Sequence, residues 1–335
     1  MKIAILRRNG LGDLICTQPL IKYLQYRFPA AKIHLFIESN NKELAGYLSP
    51  EVITHIIPKG NKYTTTLGTA LKWRKLHFDI AISAKPTPMK LNNLFLWLLG
   101  AKKRYAVTQS HQWHEKLINY SVCPQYIKGY HQALKVLRVF NPEINKLSSD
   151  LFPKISSQYF PPVKEHGSPT ILFSVSNNRE RSSITHERMA LISQKIKKYF
   201  PDASFIISTL RQDRSNAEKL LAMIGKQTQI VECQSLQSFL SLLNSTDLII
   251  VGDGGICHLA AALNKKLVAL YGVTKPENWA PLVSENQCVT LYDPQNVNNI
   301  PLEDISQAIF KLLSPEKNAL ISRIQRLNYW FKIKH

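Results

Sequence analysis

Two glycine-rich segments carry the residues best suited to chemistry. The first is Gly10-Leu-Gly12-Asp13, directly after the apolar pattern Lys2–Leu6. Glycines there allow a tight turn and close approach of backbone to a ligand. Asp13 then falls at the carboxyl end of a sheet, where a carboxylate can act as general base toward a hydroxyl; an Asp at this place also fits a plain helix cap. The second is Gly252-Asp253-Gly254-Gly255-Ile256-Cys257-His258, which follows the strand pattern Asp247–Val251 and opens a helix. Backbone N–H groups at a helix start, exposed by glycines, make an anion site. His258 in the first turn adds a donor for phosphate; the other reading is a simple turn with a half-buried histidine. A third segment, Asn177-Asn178-Arg179-Glu180-Arg181-Ser182, offers Arg179 and Arg181 to a diphosphate, or forms a solvated loop. Lys85 ends another strand pattern, either facing the same site or simply exposed to water.

Several chemistries are weakened or excluded by what is missing. Gly252-x-Gly254-x-x-Cys257 lacks the last glycine of the dinucleotide fingerprint, and no acidic residue ends the next strand to bind a ribose. There is no GxxxxGK[ST] segment for a P-loop. No DxD pair is available for a metal–nucleotide complex, and His and Cys show no zinc spacing. The five cysteines, Cys16, Cys123, Cys233, Cys257 and Cys288, are odd in number and widely spaced. They speak for a reduced compartment and against a disulfide framework.

The elements that must position these residues alternate regularly. Strand patterns at Lys2–Leu6, Lys32–Ile37, Val52–Ile57 and Asp79–Ser83 are separated by helical stretches. Leu14, Ile21, Leu24 and Phe28 form one helical face, interrupted by Pro19, which either sits in a first turn or makes a kink. Residues 141–169 are rich in Pro and Ser and read as a linker. The rhythm resumes with strands at Thr170–Val175, Ala203–Ser208, Gln229–Glu232, Asp247–Val251 and Leu267–Tyr271. Helices are expected at about 186–200, 213–225, 235–244 and 256–264. A last helical segment spans about 303–331 and becomes basic. The pattern predicts an α/β protein with two parallel sheets and a ligand cleft between its halves.

The 335 residues suit two domains. Lys and Arg number 43 against 23 Asp and Glu, a net charge of +20. Residues 1–155 hold 23 basic and 8 acidic side chains, residues 156–315 hold 15 and 14, and residues 316–335 hold 5 and 1. The excess therefore sits in the first half and the tail, pointing to an anionic partner: nucleic acid, an acidic membrane surface or a phosphorylated glycan. No nucleic-acid recognition motif accompanies it, and few aromatics interleave with the basic residues. The N-terminal apolar run is too short for a signal peptide, and Leu94–Ala101 falls far below the roughly 20 residues of a membrane span. That apolar stretch and the adjoining Lys102-Lys103-Arg104 either dock on a membrane surface or form a buried helix and a solvated turn.

The chain resembles glycosyltransferase family 9, the ADP-heptose–lipopolysaccharide heptosyltransferases. The resemblance runs through Arg7-Arg-Asn-Gly-Leu-Gly12-Asp13-Leu-Ile-Cys-Thr-Gln-Pro19-Leu, Phe28-Pro29, Phe78-Asp79-Ile-Ala-Ile and Leu99-Gly-Ala-Lys-Lys-Arg104-Tyr. It continues through Asp253-Gly-Gly255-Ile-Cys-His258-Leu-Ala-Ala-Ala-Leu, Leu270-Tyr-Gly272-Val-Thr274-Lys-Pro276 and Trp279-Ala-Pro281, in family order along nearly the whole chain. It implies a GT-B fold, two Rossmann-like domains with parallel sheets facing across a cleft. These would be an acceptor domain at 1–155, with a helix at 316–335 packing back onto it, and a nucleotide-sugar donor domain at 165–315.

The implied activity is inverting, metal-independent transfer of heptose from ADP-heptose, a substrate, to a sugar hydroxyl of the lipopolysaccharide inner core, with no cofactor. The acceptor is expected to be Kdo-bearing lipid A or a further extended core, at the inner face of the cytoplasmic membrane, so a cytoplasmic, peripheral location follows. Asp13 matches the family's base. Asp253, Gly254, Gly255 and His258 match the diphosphate segment, with Arg179, Arg181 and Thr274 as further donor contacts. Gly12, Asn9 and Lys85 are candidates on the acceptor side. Two departures stand out: many relatives have Thr where this chain has Gly254, and the usual Lys after the second domain's first strand is replaced by Arg181 or Arg179. The alternatives are the same fold using another nucleotide sugar for a different surface glycan, a basic nucleic-acid-binding protein, and a nicotinamide oxidoreductase, the last disfavoured by the missing ribose acid.

Overall fold

The computed structural model describes residues 1–8, 10–109, 112–160, 168–177, 179–284 and 286–314. The chain forms two compact units: Met1–Ser156 with Glu277–Val283, and Ser157–Pro276 with the chain from Ser284 onward.

In the first unit the order is β1 (Lys2–Arg7), α1 (Leu11–Ile15), α2 (Gln18–Arg27), β2 (Lys32–Glu38), α3 (Lys42–Leu48), β3 (Ile53–Ile57), α4 (Lys62–Trp73), β4 (Ile80–Ser83), α5 (Lys90–Leu98), β5 (Lys103–Val107), β6 (Tyr120–Val122) and α6 (Gln132–Phe140). The six strands lie β3-β2-β1-β4-β5-β6, each neighbouring pair parallel. The expected first helix is two helices, and Pro19 lies in the first turn of α2, where its missing N–H costs nothing. Strands β1 and β2 are buried along nearly their whole length, as a sheet covered on both faces requires.

The second unit runs β7 (Thr170–Ser174), α7 (His186–Tyr199), β8 (Ser204–Thr209), α8 (Arg214–Ile224), β9 (Thr228–Glu232), α9 (Leu236–Ser245), β10 (Leu248–Gly252), α10 (Gly255–Ala262), β11 (Leu267–Tyr271), α11 (Pro276–Trp279, crossing the unit boundary), β12 (Cys288–Tyr292) and α12 (Leu302–Leu313). Its strand order, β12-β11-β10-β7-β8-β9, repeats that of the first sheet read from the other edge. Both sheets reverse direction of winding next to their first strand, between β1 and β4 and between β7 and β10. In open parallel sheets ligands bind at the carboxyl ends beside such a switch point.

Three strands were not foreseen from sequence: β5, β6 and β12. Of the basic run Lys102-Lys103-Arg104, expected as a solvated turn or a membrane contact, Lys103 and Arg104 open β5, and Lys102 and Lys103 stay exposed. Arg104 donates to the carbonyls of Leu117 (2.6 Å) and Ala101 (2.6 Å), and Lys102 pairs with Asp79 at 3.0 Å. The presumed linker from residue 141 is packed on the first unit as far as Ile155, which is buried. Gln18 accepts from the Lys154 amide at 2.6 Å and donates back to the Lys154 carbonyl at 3.1 Å. The 303–331 helix is seen as α12; residues 315–335 lie outside the described residues, and with them the helix expected at 316–335.

Segment Glu277–Val283, expected in the second domain, packs with the first. His131 caps α6 by accepting from the Ala133 amide at 3.2 Å through Nδ1, and donates from Nε2 to the Ala280 carbonyl at 2.9 Å. Lys135 donates to Asn278 Oδ1 at 3.0 Å. This arrangement uses the neutral imidazole. Burial pulls the His131 pKa down to about 4, against an opposing pull from the Ala280 hydrogen bond. The unfolded ring titrates near 6.5, so the stabilisation is complete above that value and is lost as the pH falls toward about 4. We expect His131→Asn, which keeps a capping oxygen but cannot titrate, to flatten the acid limb of a melting-temperature profile between pH 6.5 and 4. The change should be on the order of 2 kcal/mol.

Candidate active site

The first chemical group sits where β1 gives way to α1. Arg7 is the last residue of β1 and wholly buried, and Asp13 lies in the short helix that follows, its side chain 20% exposed. The Arg7 guanidinium donates to Asp13 Oδ1 from one terminal nitrogen and to the Ala84 carbonyl, just past β4, from the other. It therefore ties the ends of β1 and β4 and the start of α1 together across the switch point. Burial pulls the Arg7 pKa down while the Asp13 carboxylate pushes it back up. Its Nε has no hydrogen-bond partner, so Asp13 carries much of the compensation for a buried charge. Asp13 makes no side-chain cap to α1, so the plain capping role does not describe it. Its backbone carbonyl accepts from Thr17 at 2.9 Å.

Gly12 lies within α1, and Lys85 follows Ala84, half-buried, on the same sheet edge. Asn9 lies outside the described residues. Arg7 is the residue the sequence reading left without a role. Its signal was a charge closing an otherwise apolar strand.

The second group gathers at the carboxyl ends of β7, β10 and β11. Asp253 is buried immediately before α10, and its carboxylate accepts from Arg179 Nη1 at 2.8 Å. The same nitrogen reaches Thr274 Oγ1 at 3.4 Å. Arg179, Asp253 and Thr274, separated widely in sequence, thus meet as one cluster. Arg179 keeps a 62% exposed side chain, so the guanidinium stays open to an anion. Asp253 acts on this arginine; its carboxylate would itself repel a phosphate.

Asn177 locks the same corner, donating to the carbonyls of Ser182 (3.0 Å) and Asp253 (3.2 Å). Helix α10 starts at Gly255 with Gly254 as its cap residue. The first N–H groups of a helix have no intrahelical partner, and its dipole favours negative charge there. His258 lies in the first turn of α10, as expected, and is buried. Arg181 is exposed and enters this corner through its backbone: a Cβ on Gly272 would stand 2.4 Å from the Arg181 carbonyl oxygen. A Cβ on Gly252 would stand 1.7 Å from that of Ser182.

The cysteines beside both groups are held as thiols. Burial pushes Cys16 up to about 12 and raises Cys257 further, so neither is a nucleophile at neutral pH. Among the described residues no group of three or more His, Cys, Asp or Glu is placed to hold a metal ion.

Residues 203–307 match the family model described as Glycosyltransferase family 9 (heptosyltransferase). The chain is 22% identical to lipopolysaccharide heptosyltransferase 1 of Campylobacter coli over 298 residues, covering 82% of this chain and 84% of the relative. It is 20% identical to the lipopolysaccharide core heptosyltransferase OpsX of Haemophilus influenzae, with 87% and 84% covered. Among solved structures, E. coli ADP-heptose lps heptosyltransferase II superposes with a TM-score of 0.74 at 18% identity, over 95% of this chain and all of that one. A family 9 glycosyltransferase from Veillonella parvula gives 0.78 at 16%, over 93% and 97%. The chain is a glycosyltransferase of GT-B fold. Its relatives and the match over residues 203–307 make it similar to glycosyltransferase family 9, the family that the order of its motifs resembles.

Two substitutions probe the framework. Gly252→Ala is expected to displace the 180–182 turn and destabilise the second unit by about 1–3 kcal/mol, read as a lower melting temperature. Arg7→Lys is expected to keep a measurable fraction of transfer activity, whereas Arg7→Met should lower kcat at least about tenfold with the fold intact.

Proposed function

We propose that the protein transfers heptose from ADP-heptose to a sugar hydroxyl of the lipopolysaccharide inner core, with inversion and without a metal ion. The carrying observation is the Arg7–Asp13 pair at the switch point of the first sheet. It gives a fixed, partly exposed carboxylate where an acceptor hydroxyl can be deprotonated. In this reading Asp13 takes the proton from that hydroxyl. The oxygen attacks the anomeric carbon of the donor, and the bond from that carbon to the β-phosphate oxygen breaks in the same displacement. ADP leaves with the electron pair. The N–H groups opening α10, with Arg179, stabilise the charge that grows on the diphosphate. Arg179 takes the place of the lysine that the family carries after this strand, and Thr274 and Asp253 aim it. Gly254 supplies no hydroxyl to the phosphate, so the backbone and Arg179 carry donor grip.

The family's substrates support the reading: the similar E. coli heptosyltransferase WaaC has been solved with ADP. The cationic first unit suits an acidic, phosphorylated acceptor and the inner membrane leaflet that holds it. No helix among the described residues is long and apolar enough to cross a membrane, which suits peripheral attachment from the cytoplasm.

The test is ADP release from ADP-heptose with purified Kdo-bearing lipid A, wild type beside Asp13→Asn. Acceptor-dependent release is expected from the wild type, with kcat about 10²–10⁴ lower in the variant and ADP binding retained. An Asp13→Asn protein with full transfer activity would refute the base. Release only with a different nucleotide sugar would move the protein to another surface glycan.

A further inference from the structure

Between Val52 and His114 the chain holds ten basic residues and one acidic one, Asp79. Asp79 is engaged, accepting from Lys102 at 3.0 Å and from the Lys2 amide at 2.9 Å. This span builds α4 and α5, which pack beside each other, with the Arg74 side chain lying against Gly100 where both helices end. Their inner faces send Ala70, Phe95, Leu96 and Leu99 into the core with Phe36 and Phe78.

Their outer faces are not simply polar. On α5, Lys90, Leu94 and Trp97 stand at i, i+4 and i+7, one stripe of a helix; Trp97 is 46% exposed. The 3-10 turn Trp113–Leu117 is fastened to α5 by Asn93 Nδ2 and His114 Nδ1 at 3.1 Å. It sets Trp113, 57% exposed, with Lys90 Nζ 5.3 Å from its ring centre. On α4, Leu71 is 54% exposed beside exposed Lys72, Arg74 and Lys75.

Single exposed apolar residues are ordinary. Two tryptophans and a leucine set among lysines, with no free carboxylate in the span, are a different combination. Tryptophan favours the headgroup level of a bilayer, and lysines near an anionic leaflet are drawn to it. No nucleic-acid recognition motif accompanies this face. We propose that the outer face of α4, α5 and the Trp113–Leu117 turn docks on an anionic phospholipid bilayer. Trp97, Trp113 and Leu71 enter the headgroup boundary, and Lys72, Lys75 and Lys90 meet lipid phosphates. This deepens the membrane attachment in the reading above and rests on it. It narrows one of the two sequence expectations: Leu94 and Trp97 belong to the apolar stretch 94–101, but Arg104 is engaged within the fold and the face extends to α4 and the Trp113–Leu117 turn.

The experiment is co-sedimentation of the full chain with acceptor-free vesicles, phosphatidylglycerol–phosphatidylethanolamine against phosphatidylcholine. Variants are Trp97→Ser/Trp113→Ser and Lys72→Glu/Lys75→Glu, with melting temperature and ADP binding as fold controls. The wild type is expected to prefer the anionic vesicles at least about tenfold. The lysine reversal should weaken binding by roughly 25-fold or more, at about fivefold per lysine, and the tryptophan pair by about tenfold. Binding undiminished in both folded variants, as when residues 316–335 carry the attachment, overturns the proposal. So does a parallel loss of duplex DNA binding in both variants, which marks a general polyanion surface. Transfer to detergent-dispersed acceptor is measured separately. Docking lost with transfer intact meets the surface prediction, whereas transfer absent with docking intact overturns only the assigned reaction.

Discussion

An all-parallel sheet delivers the carboxyl end of every strand to one edge, and on that constraint the rest of this protein depends. Each unit reverses its winding once beside its first strand, so two strand ends part there and leave room for a ligand. The first unit fills that place with a charge pair. The Arg7 guanidinium spans from Asp13 to the Ala84 carbonyl, so the carboxylate is positioned by two strands rather than by its own loop. The second unit fills it with backbone. Gly252 and Gly272 carry no Cβ, which lets the 180–182 turn lie directly against the strand ends.

In the function proposed above, the two solutions suit different tasks. A general base must stay put and reach one proton, and a buried arginine fixes a short acidic side chain well. A diphosphate is large and carries its charge on several oxygens, and it is better met by a helix start and a partly free guanidinium. Arg179 is restrained at one nitrogen by Asp253 and Thr274, yet most of its surface faces solvent. Asp253 therefore orients a cation instead of adding to the anion's contacts.

Much of this was legible in the sequence because parallel strands, buried on both faces, read as continuous apolar runs. The apolar run 267–271 coincides with β11, and the runs of the other central strands match to within a residue or two. Strands β5 and β6 were not. The first opens on Lys103-Arg104, whose charges hide the pattern until the fold gives Arg104 two carbonyls; the second is only three residues long. The Gly10–Asp13 and Gly252–His258 segments were legible because a strand, glycines and a helix coincide. Arg7's partnership was not, since it depends on a carbonyl 77 residues away. The first-turn position of His258 is legible, but its burial is not, because position in a helix says little about which way the helix faces.

Segment Glu277–Val283 is embedded in the sequence of the second unit but is built into the first through His131 and Lys135. The polypeptide thus passes from one unit to the other at three separate points in the chain. Neither half can be excised as one continuous stretch of gene. A hybrid enzyme spliced from two relatives at the Ser156–Ser157 junction would seat one parent's 277–283 segment on the other parent's helix. Recombination of this chain with a relative is then constrained by a seven-residue graft as much as by the Ser156–Ser157 junction.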